Sequence, residues 1–136
     1  MASTHEGGCL CGAIRYRVSG LPAIVQACHC TFCQKRTGSA FALIAAFREE
    51  QVELTGTAIT QYEYRSDESH RWLRSHFCSR CGTPVLITLE KNPGVRAIQG
   101  GTFDDPGWLR PTRHIWTRSA HDWIVFPPDA ELREQA

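Results

Sequence analysis

Two stretches alternate strictly between apolar and polar side chains. Ile14, Tyr16 and Val18 alternate with Arg15 and Arg17, and Thr60, Tyr62 and Tyr64 with Gln61, Glu63 and Arg65. A period of two sends the two sets to opposite faces of a pleated strand, so both stretches predict half-buried strands. Phe41 to Phe47 and Val85 to Leu89 are short continuous apolar runs, as expected of strands covered on both faces. For Phe41 to Phe47, periodicity alone also admits a buried helical turn. Val95 to Gln99 reads as a further strand, ended by Gly100 and Gly101. Turn signals fall at Gly20-Leu21-Pro22, Thr55-Gly56, Asn92-Pro93-Gly94 and Asp105-Pro106-Gly107. Helix is scarce: Thr31 is positioned to cap a short turn through Cys33 and Lys35, and Ser119 to Trp123 suggests another. The polar tail after Pro127-Pro128 is expected to fray. The pattern as a whole predicts a mainly β domain with short helical turns.

A length of 136 residues suits one domain, residues 1–136, able to bury a core without disulfides. Apolar residues make up 42% and charged residues 21%, ordinary for a globular chain. The net charge of +1 offers no phosphate-binding surface, so nucleic acid is not an expected partner. The longest apolar stretch, Phe41 to Phe47, is too short to cross a bilayer, and no membrane partner is expected. Met1 to Gly8 carries His5 and Glu6 and has no apolar core, unlike a secretory signal. A cytoplasmic location is therefore expected, where thiols stay reduced and clustered cysteines read as metal ligands or catalytic groups.

That expectation matters because the chain has seven cysteines, an odd number that cannot all pair. They form three groups: Cys9 and Cys11; Cys28, Cys30 and Cys33; Cys78 and Cys81. Zinc takes four ligands in a tetrahedron and favours thiolates; structural sites are closed by four protein ligands, and catalytic ones keep a position open. Seven divides into four and three. The middle group can reach one ion alone. The outer groups together make a Cys₄ site that would tie the N-terminal strand to the hairpin at residues 78 to 82. The competing reading has the middle group recruit His29 or another histidine and close. His29 lies between two ligands, where its side chain is expected to point away from the ion, and His76 reads as a strand residue.

The runs Gly8-Cys9-Leu10-Cys11-Gly12, Cys28 to Phe41 and Phe77 to Pro84 resemble the glutathione-dependent formaldehyde-activating enzyme family, which shares its domain with centromere protein V. Gly101 to Pro106 and His114-Ile115-Trp116 are also similar, so the likeness covers about residues 5 to 126. The resemblance implies an Mss4-like, mainly β zinc-bound fold. It implies structural zinc at Cys9, Cys11, Cys78 and Cys81 and catalytic zinc at Cys28, Cys30 and Cys33, two ions per chain. The implied activity is that of a carbon–sulfur lyase that handles S-hydroxymethylglutathione, the adduct of glutathione and formaldehyde. The expected partner is thus a small thiol or thiol adduct. No glutathione-binding insertion is identifiable in this compact chain. The alternative is a non-catalytic zinc module that binds a protein partner, as Mss4-like folds can.

A zinc ion with three thiolates carries a formal charge of −1, which suits sulfur chemistry better than the generation of a strong hydroxide. Lys35 or Arg36 could offset that charge and guide an anionic thiol. His114 is a candidate to orient substrate or shuttle a proton, against a plain structural role. Gly38 and Ser39 read as room for substrate or a simple turn. Asp104 and Asp105 read as turn formers before Pro106, and Trp72, Trp108, Trp116 and Trp123 as core packing.

Overall fold

A computed structural model describes residues 3–67 and 69–136. Its strands are, in chain order, β1 (Thr4–Gly8), β2 (Arg15–Ser19), β3 (Ile24–Cys28), β4 (Ala42–Arg48), β5 (Val52–Thr55), β6 (Ile59–Arg65), β7 (Trp72–Cys78), β8 (Pro84–Leu89), β9 (Val95–Gln99), β10 (Arg113–Ile115) and β11 (Glu131–Leu132). The one α-helix among the described residues, α1, spans Thr31–Thr37. β1, β2 and β5 form a three-stranded sheet; the other strands form an eight-stranded sheet in the order β11-β10-β3-β4-β9-β8-β7-β6. Pairing is antiparallel throughout, except that β10 runs parallel to both β3 and β11. The mainly β expectation is borne out, and the run Phe41 to Phe47 is strand rather than helix. No helix among the described residues is long and apolar enough to cross a membrane.

The core divides in two because residues alternate across the large sheet. Ala45 and Phe47 of β4 and Ile98 of β9 join Ile14, Tyr16, Val18, Val85 and Phe103 between the two sheets. Ala42 and Ile44 of β4 and Ala97 of β9 lie on the other face with Cys28, Cys33, Ile87 and Ile115. The first cluster holds the large aromatics: Tyr16 meets Phe103 edge-on at 5.3 Å between ring centres. Phe47 is fully buried there, and burial of such a side chain contributes about 1.5–3 kcal/mol.

The second face is curled. Phe32 of α1 stacks on Tyr64 of β6, with ring centres 4.3 Å apart. α1 follows β3 directly, and β6 is five places along the sheet from β3. That distance is about 24 Å on a flat sheet at the usual strand spacing. The contact therefore requires the sheet to bend round α1, which leaves Cys28 and Cys33 on its concave side.

Several local expectations need correction. Ser119 to Trp123 is not helical; a single 3₁₀ turn forms earlier, at Thr117–Ser119. The C-terminal tail does not fray. Glu131 N–H donates to Thr112 O, Arg133 N–H to His114 O and Trp116 N–H to Gln135 O, which makes β11 an edge strand. Its polarity signalled solvent exposure, but edge pairing uses backbone groups and needs no apolar side chain. Trp123 is exposed, stacked on His121, and contributes nothing to the core. Trp108 does pack, against Phe103 and His5.

Candidate metal centres

The Cys9-to-Gly12 loop joins β1 to β2, and the Cys78-to-Gly82 turn joins β7 to β8. Each is a tight knuckle: Gly12 N–H donates to Cys9 O at 3.2 Å and Gly82 N–H to Cys78 O at 2.8 Å. Leu10 N–H donates to Thr83 Oγ1, which ties one knuckle to the other. The four sulfurs of Cys9, Cys11, Cys78 and Cys81 consequently lie within 4.8 Å of one another. Cys9 and Cys11 Sγ are 3.7 Å apart, and Cys11 and Cys78 Sγ 3.8 Å apart. A tetrahedron of 2.3 Å metal–sulfur bonds sets its sulfurs about 3.8 Å apart, so the donor set fits a zinc-like ion. Backbone amides point at the sulfurs: Ile14 N–H at Cys9, and both Arg80 and Cys81 N–H at Cys78. Such contacts favour thiolates. The hydroxyl and backbone of Thr83 hold the Cys81 thiol down to about 5.

The second set lies on the concave face. Cys28 ends β3 and is buried, Cys30 precedes α1, and Cys33 is buried within it. The helix cap corrects the expectation for Thr31: the N-cap is Cys30, whose sulfur accepts the Cys33 N–H at 3.3 Å. One sulfur thus closes the helix end and sits beside its partners. Gly38 ends the helix at φ 67°, a left-handed conformation suited to glycine, and its N–H donates to Gln34 O. The sulfurs of Cys28, Cys30 and Cys33 also lie within 4.8 Å of one another, with Cys28 and Cys30 at 3.4 Å. Hydrogen bonds from Cys28 and Cys33 pull the Cys30 thiol down to about 3, while contacts with Cys30 and Cys33 push Cys28 up. Three thiolates this close need a cation, and this soft donor set suits zinc.

His29, between two of these cysteines, is outside the sulfur cluster. Its ring is fully buried against Phe41 and Phe126, and its Nε2 lies 3.0 Å from His114 Nδ1. Burial lowers the pKa of both, so two neutral rings share one hydrogen between them. His29 Nδ1 and His114 Nε2 are buried without a hydrogen-bond partner among the described residues. His114 alternates with Ile115, which sits beside Cys28 in the sheet, so His114 faces the opposite way. The structure groups the cysteines as four and three and places His114 with His29.

The remaining candidates separate. His76 is a β7 residue bonded to Thr88, as expected. Asp105 accepts the Gly107 N–H in a turn, but Asp104 pairs with Arg15 across the sheet edge, and that arginine holds its carboxyl below the usual range. Three contacts went unread in the sequence. Gln34 donates to both His29 O and Ser119 O, Gln99 accepts from Arg36, and Phe32 meets Tyr64. Each joins residues that carry no shared local pattern.

The sequence profile described as glutathione-dependent formaldehyde-activating enzyme matches residues 4–119. A Halomonas elongata protein that carries the name of a glutathione-dependent formaldehyde-activating enzyme is 28% identical over 134 residues, or 96% of this chain and 83% of that one. The crystal structure of a Rhodobacter sphaeroides protein has the same fold, with a TM-score of 0.58 at 24% identity over 73% of this chain and 87% of that one. With most of its length matched, the chain belongs to the glutathione-dependent formaldehyde-activating enzyme family.

Proposed function

We propose that the chain is a single-domain, zinc-dependent carbon–sulfur lyase that acts on a small thiol adduct such as S-hydroxymethylglutathione. The carrying observation is the contrast between two sulfur sets of the same chemistry, one of four donors and one of three. Cys9, Cys11, Cys78 and Cys81 form the closed, structural site. Cys28, Cys30 and Cys33 form the open, catalytic one. Zinc, when bound there, would supply Lewis acidity and stabilise sulfur as thiolate.

The rest of the chemistry falls to the protein. In the forward direction the thiol sulfur bonds to the formaldehyde carbon, and the thiol proton passes to the carbonyl oxygen. The lyase direction breaks the same carbon–sulfur bond and returns the proton. Cys30 is poised for its role by the hydrogen bonds that keep it ionised. Phe32, Leu73, Leu89 and Trp116 pack against the apolar cluster that contains Cys28 and Cys33, and that cluster limits water on this face. His114 acts from behind the site as a positioning residue: it holds His29, which spaces Cys28 from Cys30.

Metal analysis and an NMR assay of formaldehyde plus glutathione test this. Two zinc ions per chain are expected, one lost in Cys30→Ser together with the catalysed rate. A fully loaded wild-type chain no faster than the uncatalysed reaction sinks the activity and leaves the partner-binding zinc module.

A further inference from the structure

The open sulfur set has an electrostatic problem. With a divalent ion each cysteinate removes one charge, so the trio stands at −1 and would reach −2 with an incoming thiolate. The closed site, at −2 with four cysteinates, also has two buried ligands, Cys9 and Cys78, but Cys11 is exposed and Cys81 half-buried, so water reaches that ion's shell and screens the charge. Cys28 and Cys33 are buried, and a second negative charge there is strongly disfavoured unless a cation stands beside it.

One cation does. Arg36 follows Cys33 by three residues on α1, the spacing that brings two side chains to one helix face. Its Nη2 lies 3.9 Å from Cys33 Sγ. The same nitrogen donates at 2.9 Å to Oε1 of Gln99, a buried residue at the end of β9 paired in register with Ile44. The guanidinium is thus fixed in the sheet beside the sulfurs. Its Nε and Nη1 are buried without an acceptor among the described residues. A guanidinium stays protonated under all ordinary conditions, and burial with unfilled donors is unfavourable unless negative charge lies close by.

We propose that Arg36, held by Gln99, is the counter-charge of the three-cysteine site and sets its preference for an anionic fourth ligand, a small-molecule thiolate, over a neutral one. The inference rests on the metal reading above and adds a positioning residue and a ligand class to it. Removing the charge makes the trio more negative, which leaves metal affinity intact or raises it, while thiolate affinity falls. A residue that merely supported the fold would lower both.

The test uses the full chain loaded with cobalt(II), whose visible absorption reports each site and shifts when the open position takes a ligand. Glutathione and imidazole are titrated into wild type, Arg36→Gln and Arg36→Lys. Arg36→Gln is expected to bind glutathione roughly 10- to 100-fold more weakly. Imidazole affinity and cobalt content should be unchanged, and Arg36→Lys should recover most of the loss. Equal weakening of both ligands, loss of the second cobalt, or no change in either overturns the inference alone. A wild-type chain that takes up one cobalt, or whose spectrum ignores glutathione, overturns the metal reading and the inference with it. Should Arg36→Gln fail to fold, Gln99→Met, which unties the guanidinium but keeps its charge, is read in the same way.

Discussion

Losing the metal of the four-cysteine set should cost the fold far more than losing that of the three-cysteine set. The reason is chain topology. Cys11 and Cys78 are 67 residues apart in sequence, and their sulfurs are 3.8 Å apart in space. A cross-link across a loop of that length removes about 4 kcal/mol of chain entropy from the unfolded state, whereas one closing about five residues, as between Cys28 and Cys33, removes about 2 kcal/mol. At about 4 °C per kcal/mol for a domain of this size, the expected losses are about 15 °C and about 8 °C. Cys11→Ser and Cys30→Ser are the right pair of variants because neither residue is in the buried core. Serine also caps helices well, so Cys30→Ser preserves the start of α1 and isolates the effect of the metal. Thermal unfolding followed by circular dichroism, with metal content measured on each sample, gives the comparison. The reasoning fails if each variant loses one ion and Cys30→Ser lowers the midpoint as much as Cys11→Ser, or more.

Two further outcomes are expected. Gly56 has φ +105°, and a β-carbon there would sit 2.1 Å from the backbone oxygen of Ala13, so Gly56→Ala should lower stability by more than about 1 kcal/mol, read as the shift in the urea midpoint. Burial depresses the His114 pKa, so as pH falls through about 6.5 the unfolded chain takes up a proton that the folded chain refuses, and stability falls with it. In His114→Gln the drop in urea stability between pH 7.5 and 5.5 should be smaller than in wild type; an identical drop contradicts this.

Strands were legible where their own side chains carried a period. Ile14, Tyr16 and Val18 are buried on one covered face, and the stretch runs into β2. Thr60 to Tyr64 does lie in β6, but the expectation of a half-buried strand needs correction: Thr60 and Tyr62 are exposed and only Tyr64 is half-buried, because β6 is the last strand of its sheet. β1 reads Thr-His-Glu-Gly-Gly and β11 is Glu131-Leu132, with no apolar repeat to reveal them. They exist because neighbouring strands offer backbone partners, a condition that no local window contains. The helix signal was half right for a related reason. A turn near Thr31 was visible, but the cap is the sulfur of Cys30, which acts both as cap and as cluster member.

The sequence by itself determined the mainly β character and the division of seven cysteines into a set of four and a set of three. Both follow from short-range information: period, turn residues and the ligand number of a tetrahedral ion. Only the tertiary structure decided that the two sets occupy opposite faces of one sheet, that the sheet curls round α1, and that His29 turns toward His114. It alone placed Gln99 beside Arg36, 63 residues away. These arrangements depend on which strands become neighbours. That choice is made by the packing of the whole core, and no single stretch of residues records it.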